Sequence, residues 1–508
     1  MQANNKRIAR NTIFLYGRLV FVLLVSLYTV RVVLNALGVI DYGVYNVVGG
    51  FVSMFGFLNT SMANATQRFY NYEIGKNGEE ASVKVYNAAF RTQIILAGIL
   101  LLLSEIVGVW YVNTMMDLPY DRIWVANWLL QFSIISLVFT IIQVPYAAAT
   151  MAYEKMNFYA IVGVVDVVLK LGIAIGVKYF SGDKLLLYGL LILIISAANY
   201  LMYFIFTKNN FPWLKLSWEQ YSKKFQKEML SFSGWNLLGS FTFMLRGQGF
   251  NVLLNYFFGV VINAANGIAG QISSALQQFS TNLILAFKPQ LVQSYATGDL
   301  ARTRNMFFLM SKTSYALLLT LAVPLIININ FILKIWLGND VPEHTAVLSI
   351  LVIVTVMINC LHTPIVQVIQ ATGIIKKFQI GTSLIIIGII PISWIVLKLG
   401  GSAAACYLVC IFLYLINQIF AMVMLKYAFP YKISSYINIV IIRCLVMTLI
   451  LPIIPIISAT VIENDFIALT SSTISSGIVS VILYLYVMIN KDEREAIIKI
   501  IRNKLQFN

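Results

Sequence analysis

The chain has 508 residues, 59% hydrophobic and only 11% charged, with a formal net charge of +16 and a mean hydropathy of +0.82. A soluble domain is nearer half apolar and a quarter charged, so this composition excludes an ordinary globular protein and indicates an integral membrane protein. The basic excess would suit a nucleic acid, but where the charges fall excludes that partner.

Apolar segments run at 11–35, 44–70, 86–112, 123–149, 157–180, 185–207, 229–258, 262–290, 305–333, 345–371, 374–397, 401–425, 436–460 and 466–490. Each reaches the roughly 20 residues that cross a bilayer core as a helix. The short alternating segments of a closed barrel are absent from the pattern, and helices alone remain to satisfy their own backbone in lipid. The expectation is an all-α integral membrane protein of about fourteen transmembrane helices. The apolar run from Ile13 is too long for a signal-peptide core and lacks a small-residue cleavage site, so it is expected to stay as an anchor.

The first two segments are repeated in outline. Asn11 to Asn35 is apolar but carries Arg18 and Arg31; it breaks at Leu37-Gly38-Val39-Ile40-Asp41-Tyr42-Gly43. A second run, rich in small and amide residues, leads to a polar loop over Tyr72 to Lys84. From Trp235 the plan recurs, with Arg246 in the first run, a break at Phe258-Gly259, a second run from Asn263 and a close at Tyr295-Ala296-Thr297-Gly298-Asp299. A shift of 221 superposes Gly38 on Gly259, Gly49 on Gly270 and Arg91 on Lys312. Repeated halves in a membrane chain are typical of transporters, whose sites lie where the repeats meet.

With the N-terminus inside, 26 of the 36 lysines and arginines fall in inside segments and 5 outside. The other 5, Arg18, Arg31, Lys170, Arg246 and Arg443, lie within helices. That asymmetry puts both termini in the cytoplasm and accounts for the net charge as a topology signal. The outer loops are all short. Between Lys208 and Glu228, Leu214, Trp218, Tyr221 and Phe225 recur at helical spacing among lysines, which reads as an amphipathic helix on the cytoplasmic interface. The chain then divides into an N-lobe at 1–207 (helices 1–6), a cytoplasmic amphipathic linker at 208–228, a C-lobe at 229–427 (helices 7–12), two further helices at 428–490 and a cytoplasmic tail at 491–508.

No nucleophile elbow, phosphate loop or paired metal motif is present, so neither an enzyme nor a cofactor is expected. Cys360, Cys406, Cys410 and Cys444 all sit in apolar runs and read as buried fillers. What remains is charge inside apolar helices, which is costly unless it meets water, a partner or the protein interior. Arg18, Arg31 and Arg246 suggest a cationic cavity, because a guanidinium fork suits phosphate or carboxylate. Asp166 and Lys170, four apart, read as a self-neutralising pair. The sharper alternative has Asp166 binding H+ or Na+ while Lys170 meets substrate; Glu105 is the other buried acid and a second candidate for ion coupling. His362 reads as a packed core histidine in preference to a proton relay. Amides and hydroxyls on the second and eighth segments fit helix contacts and sugar hydroxyls equally well.

Leu37-Gly38-Val39-Ile40-Asp41-Tyr42-Gly43-Val44-Tyr45-Asn46 resembles the junction after the first helix of bacterial polysaccharide exporters, and Pro289-Gln290 through Asp299 resembles their loop after the eighth helix. The chain is similar to the O-antigen and capsule repeat-unit flippases of the multidrug/oligosaccharidyl-lipid/polysaccharide exporter superfamily. The resemblance implies two six-helix bundles related by a pseudo-two-fold axis plus two C-terminal helices, a cavity between the bundles, and alternating access. It implies transport of an undecaprenyl-diphosphate-linked oligosaccharide across the cytoplasmic membrane, with membrane lipids and glycan assembly proteins as partners. Arg18 and Arg31 match the basic first helix of the related peptidoglycan-precursor flippases, and Asp41 matches an acid just after that helix. The competing readings are a drug/cation antiporter of the same superfamily, for which a cavity dominated by acids is expected, and a membrane glycan polymerase or ligase.

Overall fold

The computed structural model describes residues 2–53, 55–114, 120–217, 221–338, 341–490 and 494. Among them the chain is helical, without strands. Eleven helices are long and apolar enough to cross a membrane. The three expected segments not among these eleven, at 44–70, 229–258 and 262–290, are helical in their described parts apart from a turn at Phe55. They are the segments whose amides and hydroxyls (Asn59, Asn64 and Gln67; Asn236 and Asn251; Asn263, Asn266 and Gln277) dilute the apolar run.

The chain forms two compact units, Met1–Ser240 with Val292–Gly298, and Phe241–Leu291 with Asp299–Asn508. Unit 1 starts with α1 (Gln2–Ser53), α2 (Gly56–Asn77) and α3 (Val83–Thr114). It continues through α4 (Ile123–Ile142), α5 (Val144–Ala152), α6 (Met156–Lys178) and α7 (Lys184–Asn210). Its core joins Val44, Val48 and Val52 of α1 to Leu100 of α3 and Leu129, Leu130, Ile134 and Ile141 of α4. Helix α8 (Lys223–Ala296) runs from unit 1 into unit 2 and back. Unit 2 contains α9 (Leu300–Ile327), α10 (Ile329–Leu337), α11 (Thr345–Thr372), α12 (Lys376–Ile387), α13 (Ile389–Lys398) and α14 (Ala403–Ala428). It ends with α15 (Ile433–Tyr436), α16 (Ile442–Ile450), α17 (Ile453–Val461) and α18 (Asp465–Leu483). The last helix is zipped to α9 by hydroxyls and amides: Asn328 Nδ2 donates to Ser472 Oγ at 2.8 Å, and Ser476 Oγ to the Thr320 carbonyl at 2.9 Å. Helix starts follow local chemistry. Asp183, Ser222, Asp299, Ser402 and Asn464 each accept a backbone N–H of the first turn.

The internal repeat is visible in the backbone. Both α1 and α8 break at a single glycine, Gly38 (φ 81°) and Gly259 (φ 74°). Helix α6 covers 156–178 and the α12–α13 pair covers 376–398, an offset of 220 at both ends.

Among the described residues, the interfacial helix expected within 208–228 is not found between 211 and 222. Residues 211–217 and 221–222 are irregular, and helix begins only at Lys223. Trp218 lies outside the described residues, as does the tail from 491 except Arg494. Pro212 cannot continue a helix from α7, and tertiary partners then claim the following backbone. The buried Asn87 side chain on α3 donates to the Lys215 carbonyl at 3.0 Å and accepts from the Ser217 N–H at 2.8 Å. Arg91, one turn on, donates to the Ser217 carbonyl at 3.2 Å and covers the Tyr221 ring at 4.3 Å. Trp213 Nε1 donates to Tyr153 Oη at 2.9 Å, while Phe211 stacks on the Tyr153 ring at 4.2 Å. Burial pushes the Tyr153 phenol above its ordinary value, so it stays protonated.

Candidate functional site

In unit 1, Arg18 of α1 lies across α6. Its guanidinium sits 4.6 Å from the Tyr159 ring centroid, a cation–π contact. It passes directly over Gly163, where a Cβ would stand 2.1 Å from Arg18 Nε. The glycine is therefore what lets a long cationic side chain cross the helix. Arg18 Nε is buried and has no hydrogen-bond partner.

Asp166 and Lys170 lie on the same face of α6, three and seven residues beyond Gly163. Both carboxylate oxygens are engaged. Lys170 Nζ donates to Asp166 Oδ2 at 2.8 Å, and Asn199 Nδ2 of α7 donates to Oδ1 at 2.7 Å. Tyr203, one turn after Asn199 and buried, is within electrostatic reach of Arg18, Tyr159 and Asp166. Unit 1 thus brings three of the expected residues, Arg18, Asp166 and Lys170, into one polar cluster. Sequence reasoning missed Tyr159, Gly163, Asn199 and Tyr203; the only signal available was the four-residue spacing of Asn199 and Tyr203.

This cluster has no counterpart in the repeat. At the offset of 220, Asp166 and Lys170 correspond to Ile386 and Ile390 of the α12–α13 pair. The α12–α13 pair therefore carries isoleucine at both places, one on each side of its break at Gly388.

The other expected residues of unit 1 lie elsewhere. Arg31 is exposed on α1, 13 residues from Arg18, which is about 20 Å along a helix. Asp41 is 7% exposed and ion-paired: Arg122 Nε stands 3.0 Å from its Oδ1. Arg122 also reaches Asp183 Oδ2 at 2.6 Å, and Asp183 Oδ1 accepts the Leu186 N–H that starts α7. Asp41 is thereby joined to a structural bridge, and Arg122 is the partner that the sequence did not reveal. Glu105 accepts from Gln131 Nε2 at 2.9 Å, and no cation pairs with it among the described residues.

In unit 2, Arg246 of α8 faces α14. Its guanidinium carbon is 5.9 Å from the Tyr414 ring centroid, with Tyr407 and Cys410 alongside. Arg246 Nε is buried without a hydrogen-bond partner. Among the described residues neither Arg18 nor Arg246 pairs with a carboxylate. Tyr407 Oη also donates to Asn266 Oδ1 and Asn266 Nδ2 to Asn251 Oδ1, so the amides at this point join helices.

Solved structures share this architecture. An outward-facing multidrug-resistance MATE-family transporter of the MOP superfamily superposes with a TM-score of 0.68 at 12% identity, over 85% of this chain and 96% of that one. The chain has the fold of the MATE/MOP transporters. A MOP-superfamily transporter from Pyrococcus furiosus, for which reversed polarity of the binding pocket suggests a different function, gives 0.67 at 14% identity over 85% and 96%. A MATE protein solved in complex with MaD3S gives 0.66 at 14% identity over 86% and 97%. No protein-family model and no curated protein sequence matches the chain. At these identities the transporter fold is common to all three comparisons, and the chemistry of the site has to be argued from the residues of this chain.

Proposed function

We propose that the chain is a flippase that moves an undecaprenyl-diphosphate-linked oligosaccharide across the cytoplasmic membrane by alternating access, coupled to an ion gradient, with both termini in the cytoplasm. The observation that carries this reading is Arg246. It is a guanidinium in a helix of a membrane chain, its Nε buried, held by an aromatic face and a thiol and, among the described residues, by no carboxylate. A cation kept in such surroundings without a counter-charge suits an anionic ligand, and a diphosphate matches its fork. Arg18, against Tyr159 and likewise without a carboxylate partner among the described residues, supports the same chemistry in unit 1. The Pyrococcus protein of reversed pocket polarity is a precedent for a change of charge on this fold.

A second reading, a drug/cation antiporter, is favoured by Glu105, an acid in an apolar helix with an amide but no cation beside it. It also agrees with the multidrug transporter among the structural neighbours. One experiment separates the two. The purified chain is reconstituted in liposomes, and leaflet exchange of a fluorescent lipid-diphosphate oligosaccharide is followed beside uptake of a cationic dye. The flippase reading expects exchange of the lipid, lost in Arg246→Ala. Dye transport that needs Glu105 and ignores Arg246 overturns it.

A further inference from the structure

We propose that the last turns of α8, Val292–Gly298, form a releasable latch seated on Gly75 of α2. The proposal rests on the transporter reading only for what the latch gates, not for the release itself. These residues are grouped with unit 1, although the chain on both sides of them, Phe241–Leu291 and from Asp299 onward, belongs to unit 2. The roots of the tip are fastened in unit 2. Arg302 donates from its guanidinium to Gln290 Oε1 at 3.4 Å, across the base, and Asp299 starts α9 by accepting the Arg302 N–H at 2.9 Å. The tip is thus tied to unit 2 by its chain and packed within unit 1. Any movement of one unit against the other has to be taken up here. The roots are continuous chain, so the contact that is able to part is the one at Gly75.

What the tip meets there is small. A Cβ on Gly75 would stand 2.7 Å from the Gln293 Cα and carbonyl oxygen and 3.0 Å from the Ala296 Cβ, so the two helix backbones touch. Gln293 Nε2 donates to the Ala152 carbonyl, at the end of α5, at 3.3 Å. Val292, one turn before Ala296 on the same helical face, is 1% exposed. Gly75 lies inside α2 without a positive φ, where alanine is the better helix former. The glycine therefore serves the approach of α8 and not the course of α2. The start of α8 is held on unit 1 differently. Phe69 of α2 packs edge-on against Phe225 at 5.2 Å and Phe232 at 5.8 Å, and Arg68 lies over the Phe232 ring at 5.3 Å. Ser61 Oγ and Ser240 Oγ are 3.3 Å apart, and Gln226 Nε2 donates to Thr92 Oγ1 at 3.0 Å. Interlocked rings resist parting, whereas a glycine laid against a backbone has no side chain to withdraw. One end of α8 is thereby fixed to α2, and the other is built to leave it.

Thiol labelling tests this, because the four native cysteines are buried and serve as an internal reference. The full-length protein with Val292→Cys, in lipid nanodiscs, is treated with a small maleimide, and the rate at each cysteine is read by peptide mass spectrometry. Position 292 is expected to react about tenfold faster than the native cysteines or more, since release exposes it without unfolding either unit. Adding Gly75→Ala, which overfills the contact, is expected to speed the reaction by about a further tenfold, with the native cysteines unchanged. Adding Gln293→Leu, which removes the bond to Ala152, is expected to speed it by about two- to tenfold. A position 292 that reacts no faster than the native cysteines, or that ignores both changes, overturns the proposal and makes the contact permanent packing. Val292→Cys alone and with Gln293→Leu decides this even where Gly75→Ala fails to fold. In liposomes, Gly75→Ala is expected to slow lipid exchange by about tenfold, because a tip that does not seat leaves the cycle of closing and opening incomplete. Exchange at the wild-type rate also counts against the latch. A wild-type protein that moves no lipid-linked oligosaccharide removes the functional reading, and the labelling still decides this one.

Discussion

Gly38 and Gly259 hold the same backbone conformation at equivalent points of the two halves, φ 81° with ψ 170° and φ 74° with ψ −165°. This region is essentially open to glycine alone. In each case a Cβ would meet nothing within 4 Å, so the constraint is in the backbone and not in packing. Gly38→Ala and Gly259→Ala are each expected to destabilise by about 1–3 kcal/mol. Thermal unfolding of the purified variants measures this; a wild-type midpoint in both would mean that the breaks do not depend on glycine.

These two glycines were legible in the sequence because punctuation in an apolar run has a local cause. The fourteen apolar segments were legible for the same reason, as hydropathy is a local property. The linker was not. Leu214, Tyr221 and Phe225 have helical spacing, yet the backbone around Lys215 and Ser217 bonds to Asn87 and Arg91, more than 120 residues earlier. Such long-range partners leave no mark in the spacing. The site was legible in part. Asp166 and Lys170 lie four apart on one helix and could be paired by counting, whereas Asn199, Tyr159 and Arg122 enter through helix packing alone.

The linker gives the second prediction. Asn87→Leu keeps the size of the side chain and removes its bonds to Lys215 and Ser217, each worth about 0.5–1.5 kcal/mol. Cleavage by a protease within 211–222 is expected to speed up roughly tenfold, the equivalent of about 1.4 kcal/mol in local opening. Cleavage as slow as in the wild type would show that Trp213 and Arg91 hold the segment without it.

The third concerns Asp166 and Lys170. Asp166→Asn leaves the ammonium unpaired and is expected to cost on the order of 1–3 kcal/mol, less than for a fully buried pair, because the lysine is 40% exposed. Replacing both by isoleucine, the residues that the repeat carries at 386 and 390, is expected to restore the thermal midpoint. Lipid exchange in this double variant then separates the roles: loss of gradient-driven transport in a stable protein assigns the pair to coupling or substrate, and full activity makes it a self-neutralising element only.

The fourth concerns Arg246, on which the anionic ligand depends. A charge-assisted hydrogen bond is worth roughly 1.5–3 kcal/mol, so Arg246→Ala is expected to slow transport of a diphosphate lipid by about 10–100-fold, by the tenfold per 1.4 kcal/mol relation. The amount of folded protein should not fall, because among the described residues the guanidinium has no carboxylate partner whose loss would strand a charge. Arg246→Lys keeps the charge but not the planar fork, and it also gives up part of the stacking on Tyr414. Activity between those of alanine and arginine is therefore expected for lysine. Tyr414→Leu removes the aromatic face without touching the charge and should weaken transport less than Arg246→Ala does. If lysine is as good as arginine, the site reads charge and not geometry. If alanine is as good as arginine, the guanidinium is a structural element of unit 2 and the diphosphate has no cation there. The measurement is the initial rate of lipid exchange at equal protein density, with thermal midpoints taken on the same samples.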